Sequence, residues 1–220
     1  MPEPTTSGHA DLLSLSPVVP VVVIDDLDHA VPVARALVAG GVPVIELTLR
    51  TPVALDAIRA IADEVPEITL GAGTVVTPEL AKQAAAAGAS FLVSPGTTPR
   101  LLDGMFETGL PFLPGTATVS EILAILEAGI TQMKFFPAAA IGGATFLASL
   151  STVVPTARFC PTGGIRPANA TAYLDLPNVG CVGGTWLTPP AALAGGDWAE
   201  ITRLAAEAAS LGSSASPGAA

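Results

Sequence analysis

Lysine is nearly missing from this chain of 220 residues: Lys82 and Lys134 are its only two, among nine lysine and arginine side chains set against nineteen acidic ones. The formal net charge of −10 leaves no basic face for nucleic acid or for an anionic membrane surface. An anionic ligand would therefore depend on cations gathered at one place. Histidine is as scarce. His9 and His29 both fall outside the ends of the expected strands, which disfavours a Ser-His-Asp triad. No H-x-x-x-H spacing and no clustered carboxylates offer a metal its ligands, so neither metal nor cofactor is expected. Two cysteines, Cys160 and Cys181, are too few for a disulfide framework or a zinc site, and they read as small buried hydrophobes. The apolar run 18–24 is far shorter than the roughly 20 residues of a membrane-spanning helix. The opening MPEPTTSGHADLL lacks the basic start and apolar stretch of a signal peptide. The expectation is a soluble, cytoplasmic protein.

What the chain does have is apolar residues, half of the total, arranged in a pattern that repeats eight times. Short apolar runs at 20–25, 42–50, 68–75, 91–95, 110–115, 132–137, 157–161 and 180–187 read as strands. Amphipathic segments at 27–39, 52–64, 98–108, 118–128, 143–150, 167–174 and 198–210 read as helices, with another opening at Thr77-Pro78, where proline suits the first helical position. Thr118 and Glu121 have capping-box spacing. A short leading helix is expected at 9–15, a loose tail before it, and a disordered tail at 212–220. The strands are continuous rather than alternating, as expected for parallel strands covered by helices. Eight strand–helix units in a chain of this length point to one (β/α)₈ TIM barrel over residues 1–211. The alternative is an open doubly wound sheet. It lacks the G-x-G-x-x-G fingerprint after the first strand, and Gly71-Ala72-Gly73 is a lone G-x-G.

In such a barrel the chemistry sits where the strands end. Strand two carries Glu46, Thr48 and Arg50 on one face, because they alternate with Leu47 and Leu49. Strand three ends at Thr74, strand four at Ser94-Pro95-Gly96, strand seven at Thr162-Gly163-Gly164 and strand eight at Gly183-Gly184-Thr185. Strand six carries Lys134. A buried ammonium costs several kcal/mol unless it is paired or neutral, so Glu46 is its expected partner. The pair is open to two readings, a structural ion pair or a lysine nucleophile with a carboxylate proton shuttle. An unperturbed lysine is neutral in only about one molecule in 2,500 at pH 7, and desolvation would favour the free amine. A neutral Lys134 can attack a ketone to give an imine. Arg50 can hold a carboxylate in a bidentate pair, with Thr74 as a second contact. A 2-oxo acid fits all four groups. The glycine pairs at 163–164 and 183–184 read either as tight turns or as an anion cradle of backbone N–H groups, with Thr185 beside it and Arg166 as its one nearby cation.

These stretches together resemble a known family. Glu46-Leu-Thr-Leu-Arg50-Thr51, Gly71-Ala-Gly-Thr74-Val75, Ser94-Pro-Gly96, Lys134-Phe-Phe-Pro-Ala138, Phe159-Cys-Pro-Thr-Gly-Gly164 and Gly183-Gly-Thr-Trp-Leu187 are similar to the motifs of the class I 2-keto-3-deoxy-6-phosphogluconate aldolases, which overlap with the 4-hydroxy-2-oxoglutarate aldolases. The resemblance runs over about 18–198. It implies a metal-free barrel, usually a homotrimer, that cleaves a phosphorylated 2-keto-3-deoxy sugar acid to pyruvate and glyceraldehyde 3-phosphate. It puts the Schiff-base lysine on Lys134 and the proton-shuttling glutamate on Glu46. Arg50 and Thr74 take the pyruvyl carboxylate, Pro95 lines the pocket, and Gly163, Gly164 and Thr185 take the phosphate. Many members have serine in place of Thr185 and a glutamate in place of Ala139. Three rivals stand beside this reading. They are the same imine chemistry on 4-hydroxy-2-oxoglutarate or on the 6-phosphogalactonate epimer, a phosphosugar isomerase or epimerase barrel, and a non-catalytic assembly subunit.

Overall fold

Apolar runs too short for a helix, alternating with amphipathic stretches, fold here as strands and helices in turn. The computed structural model describes residues 11–211. In chain order the elements are β1 (Val18–Val22), α1 (Ala30–Ala39), β2 (Val44–Thr48), α2 (Ala54–Glu64), β3 (Thr69–Gly73), α3 (Pro78–Ala86), β4 (Phe91–Val93), α4 (Pro99–Phe106), β5 (Phe112–Leu113), β6 (Gly115–Thr116), α5 (Val119–Glu127), β7 (Gln132–Phe135), α6 (Gly143–Leu150), β8 (Arg158–Pro161), α7 (Pro167–Leu174), β9 (Val182–Gly184), α8 (Pro190–Gly195) and α9 (Trp198–Ser210). Every strand pairing is parallel. Each residue of β1 and β2 is buried, which explains why β1 reads as an unbroken apolar run and leaves Glu46 and Thr48 of β2 enclosed.

The strands form a six-stranded sheet ordered β5-β4-β3-β2-β1-β9 and a three-stranded sheet ordered β6-β7-β8. Two isolated parallel bridges, Phe159 to Val179 and Thr162 to Gly183, link β8 to the β9 segment. The division between the sheets falls inside the fifth expected strand, and Pro114 is the physical cause. Proline has no N–H to give to a ladder. Its carbonyl accepts from the Lys134 N–H at 3.0 Å, while the Gly115 N–H donates to the Ser94 hydroxyl at 3.0 Å. The chain thus turns its bonding from β4 to β7 across one residue.

Several expected boundaries move. The first strand begins at Val18 and has ended before Asp25, because Asp26 accepts from the Asp28 N–H at 3.1 Å and starts a 3₁₀ turn at Leu27–His29. His29 lies in that turn, not in the helix body, and is half-buried with its ring edge-on to Trp198 at 5.5 Å. The leading helix reduces to a 3₁₀ turn at Leu12–Ser14. His9 and the tail 212–220 lie outside the described residues. The short helix α8 and a 3₁₀ turn at Ala138–Ile141 were not expected. Thr77 and Thr118 cap α3 and α5 as expected.

The first and last helices meet. The Thr202 hydroxyl of α9 donates to the Ala36 carbonyl of α1 at 3.1 Å, while β9 pairs with β1. Among the described residues no helix is long and apolar enough to cross a membrane.

Candidate active site

On β7, side chains alternate between two environments. Phe135 stacks on Phe146 of α6 with centroids 5.3 Å apart and meets Phe159 of β8 at 6.2 Å, so it belongs to the helix layer. Lys134 therefore points the other way. Its Nζ lies 3.0 Å from Glu46 Oε1, and the two side chains are 4% and 2% exposed. Glu46 reaches this point from β2, where it stands in register between Val21 and Gly71. The ring centroid of Phe136 is 5.5 Å from Nζ. An amine in hydrogen-bond contact with a carboxylate is the pairing that nucleophilic and acid–base chemistry both need.

Both readings of the pair predict this contact, so the surroundings decide between them. Lys134 and Phe136 line a cavity of about 200 Å³, with Arg50 on its wall and Gly163, Gly164 and Thr185 across from it. A purely structural ion pair has no need of an open cavity beside it. Arg50 lies just beyond β2 and donates from Nε to the Thr74 hydroxyl at 3.0 Å. The segment that carries Arg50 is pinned on either side by Thr48, which donates to the Val22 carbonyl at 3.0 Å, and by Thr51, which donates to the Ile24 carbonyl at 2.5 Å. Thr74 follows β3 with φ of 61°.

Gly163 and Gly164 have φ of 100° and 77°, a left-handed conformation that glycine alone takes without cost. A Cβ at 164 would also meet Ala139 Cβ at 2.5 Å. Their loop is held by the Ala138 and Ala139 N–H groups, which donate to the Thr162 and Gly163 carbonyls at 2.8 and 3.0 Å. The backbone of this glycine loop and the hydroxyl of Thr185 line the same cavity, an arrangement that suits an anion.

Of the residues singled out from sequence, Lys134, Arg50, Gly163, Gly164 and Thr185 line this cavity. Glu46 reaches it through Lys134, and Thr74 through Arg50. Pro95 stands apart from the lining, half-buried against Gly115. Phe136, Ile165 and Val21 also line the cavity and were not singled out. Phe136 is two residues from Lys134 on an extended segment, and that spacing was the available signal. A larger groove of about 320 Å³ shares Val21 and Thr185 with the cavity and carries Asp25, Asp26 and His29, but it holds no amine. Both cysteines are buried. A hydrogen bond with the Cys160 thiol, together with burial, pushes Cys181 well above the usual thiol range, which leaves it unreactive.

A family model described as KDPG and KHG aldolase (KDPG is 2-keto-3-deoxy-6-phosphogluconate, KHG the 4-hydroxy-2-oxoglutarate compound) matches residues 10–204. The KHG/KDPG aldolase of Escherichia coli K12 is 52% identical over 197 residues, which cover 90% of this chain and 92% of that relative. Among solved structures, the KDPG aldolase of Legionella pneumophila, with pyruvate captured at low pH as a covalent carbinolamine intermediate, superposes with a TM-score of 0.88. It is 47% identical, over 90% of this chain and 96% of that one. The aldolase of Zymomonas mobilis ZM4 with 3-phosphoglycerate superposes with a TM-score of 0.85 at 46% identity, over 90% and 93% of the two chains.

Proposed function

Because this chain belongs to the KDPG and KHG aldolase family, we infer that it runs that chemistry through Lys134. It is a class I aldolase, a lyase that cleaves 2-keto-3-deoxy-6-phosphogluconate to pyruvate and glyceraldehyde 3-phosphate. The observation that carries the site assignment is the 3.0 Å contact between Lys134 Nζ and Glu46 Oε1 beside an open cavity.

In our reading Lys134 attacks C2 of the keto acid to give a carbinolamine. Glu46 passes protons as water leaves and the imine forms. The C4 hydroxyl then gives its proton to Glu46. The C3–C4 bond breaks, its electrons move toward the imine nitrogen, and the aldehyde departs. Protonation at C3 and addition of water return pyruvate and the free amine. Arg50, with Thr74 behind it, holds the C1 carboxylate. Gly163, Gly164 and Thr185 take the phosphate through their N–H groups and the Thr185 hydroxyl. Pro95 supports the wall from the β4 side. No step calls for a metal or cofactor. A second substrate, 4-hydroxy-2-oxoglutarate, is favoured by the E. coli relative, whose name carries both activities.

For the frame, we read β5 and β6 as one strand interrupted at Pro114, and the two bridges to β9 as the closure of a (β/α)₈ barrel over residues 1–211. A cytoplasmic homotrimer is the assembly we propose.

The test is imine trapping. With pyruvate and borohydride, a reduced adduct should form on Lys134, and peptide mapping has only Lys82 and the α-amine to tell it from. Lys134→Ala should lose both adduct and turnover. Lys134→Arg should do no better, since a guanidinium stays protonated. A reproducible adduct on Lys82, or full activity in Lys134→Ala, overturns the assignment.

A further inference from the structure

We propose that Arg166 determines specificity for the phosphorylated substrate by supplying the cation that the glycine cradle lacks. This rests on the reading of Gly163, Gly164 and Thr185 as the phosphate contacts. The first observation is a census of charge. Seven of the nine cationic side chains reach a carboxylate within 3.6 Å. The exceptions among the described residues are Arg50 and Arg166. In a chain of net charge −10, an arginine left without an acid is unusual, and Arg50 is the one at the carboxylate end of the cavity.

The second observation is where Arg166 is held. The Asn169 side chain accepts from the Arg166 N–H at 2.7 Å and donates from Nδ2 to the Gly164 carbonyl at 3.1 Å. One amide group thus locks the Arg166 backbone to the cradle. The guanidinium is exposed and free to turn toward a ligand there. The third observation is what lies on the other side of Thr185. Asp25 and Asp26 line the groove that shares this threonine with the catalytic cavity. Their charge opposes a phosphate dianion, and neutral N–H donors offset only part of it. A guanidinium matches phosphate oxygens in a bidentate fork.

The experiment compares kcat/KM on 2-keto-3-deoxy-6-phosphogluconate and on its unphosphorylated counterpart for wild type, Arg166→Ala and Arg166→Lys. The ratio of the two values should fall about fivefold in Arg166→Ala, the scale of an exposed charge contact. The loss should appear mainly in KM, and Arg166→Lys should recover part of it. The inhibition constant of inorganic phosphate should rise by a similar factor, and the gap between wild type and Arg166→Ala should narrow as salt screens the charge. A ratio in Arg166→Ala equal to a large wild-type ratio overturns the role of Arg166 and leaves the cradle standing. A wild-type ratio near one overturns the cradle itself, and the proposal with it, before any variant is measured. Arg166 is exposed, and a thermal midpoint near that of wild type confirms that the variants fold.

Discussion

The Glu46 carboxylate occupies space that any side chain at position 73 would fill. A Cβ on Gly73 would lie 2.3 Å from Glu46 Oε1, so the glycine leaves the carboxylate the space in which it meets Lys134. Gly73→Ala should push the carboxylate off the amine. We expect kcat to fall with little change in KM, and overpacking to cost about 1–3 kcal/mol. Steady-state rates and thermal unfolding of the same variant measure both. Glu46→Gln keeps the shape and removes the base, and turnover should drop about 10²-fold or more. If exchange of the pyruvate methyl protons with solvent ran at the wild-type rate in that variant, Glu46 would not be the shuttle. Lys134 and Glu46 were readable in the sequence because charge on an apolar strand has few explanations. Gly73 was not, since a close approach between strands leaves no mark in one strand's pattern.

Single elements show where local rules end. The capping box on α5 follows from the Thr118 and Glu121 spacing, and both of its bonds form. Burial pushes the Glu121 carboxyl up, yet hydrogen bonds from the Ala117 N–H, the Thr118 hydroxyl and the Thr118 N–H hold it below its usual range. A carboxyl lowered in the folded state stabilises fully above its unfolded value, near 4.3, and that stability is lost as pH falls through the folded value. Glu121→Gln keeps the capping box but loses the charge at the helix N-terminus, so it should cost about 0.5 kcal/mol near neutral pH, with the gap to wild type closing below about pH 4. Unfolding midpoints taken across that range test it, and a gap that widened in acid would contradict the assignment. Strand ends were read too long in most cases, because buried loops such as Val75 and Ser94 are as apolar or enclosed as the ladder they follow. The turn at Ala138–Ile141 is set by its contacts with Thr162 and Gly163, more than twenty residues onward, so no local signal announces it.

For the whole molecule, the alternation of parallel strands with helices was legible, because one core must be covered by every unit. The division into two sheets was not, since it depends on where the N–H of Gly115 goes. Light scattering should give three times the 21.9 kDa of one chain if the proposed homotrimer holds, and a mass near 21.9 kDa would refute it. The meeting of α1 with α9, and of β1 with β9, sets an order on synthesis. The bond from Thr202 to Ala36 spans 166 residues, so the first unit made is covered by the last. Until then the edge of β1 and the inner face of α1 stay open to the wrong partners. Chains arrested before Val182 already contain Lys134 and Glu46. They should nevertheless stay sensitive to protease and fail to trap pyruvate, and both properties should change together once the remaining residues emerge.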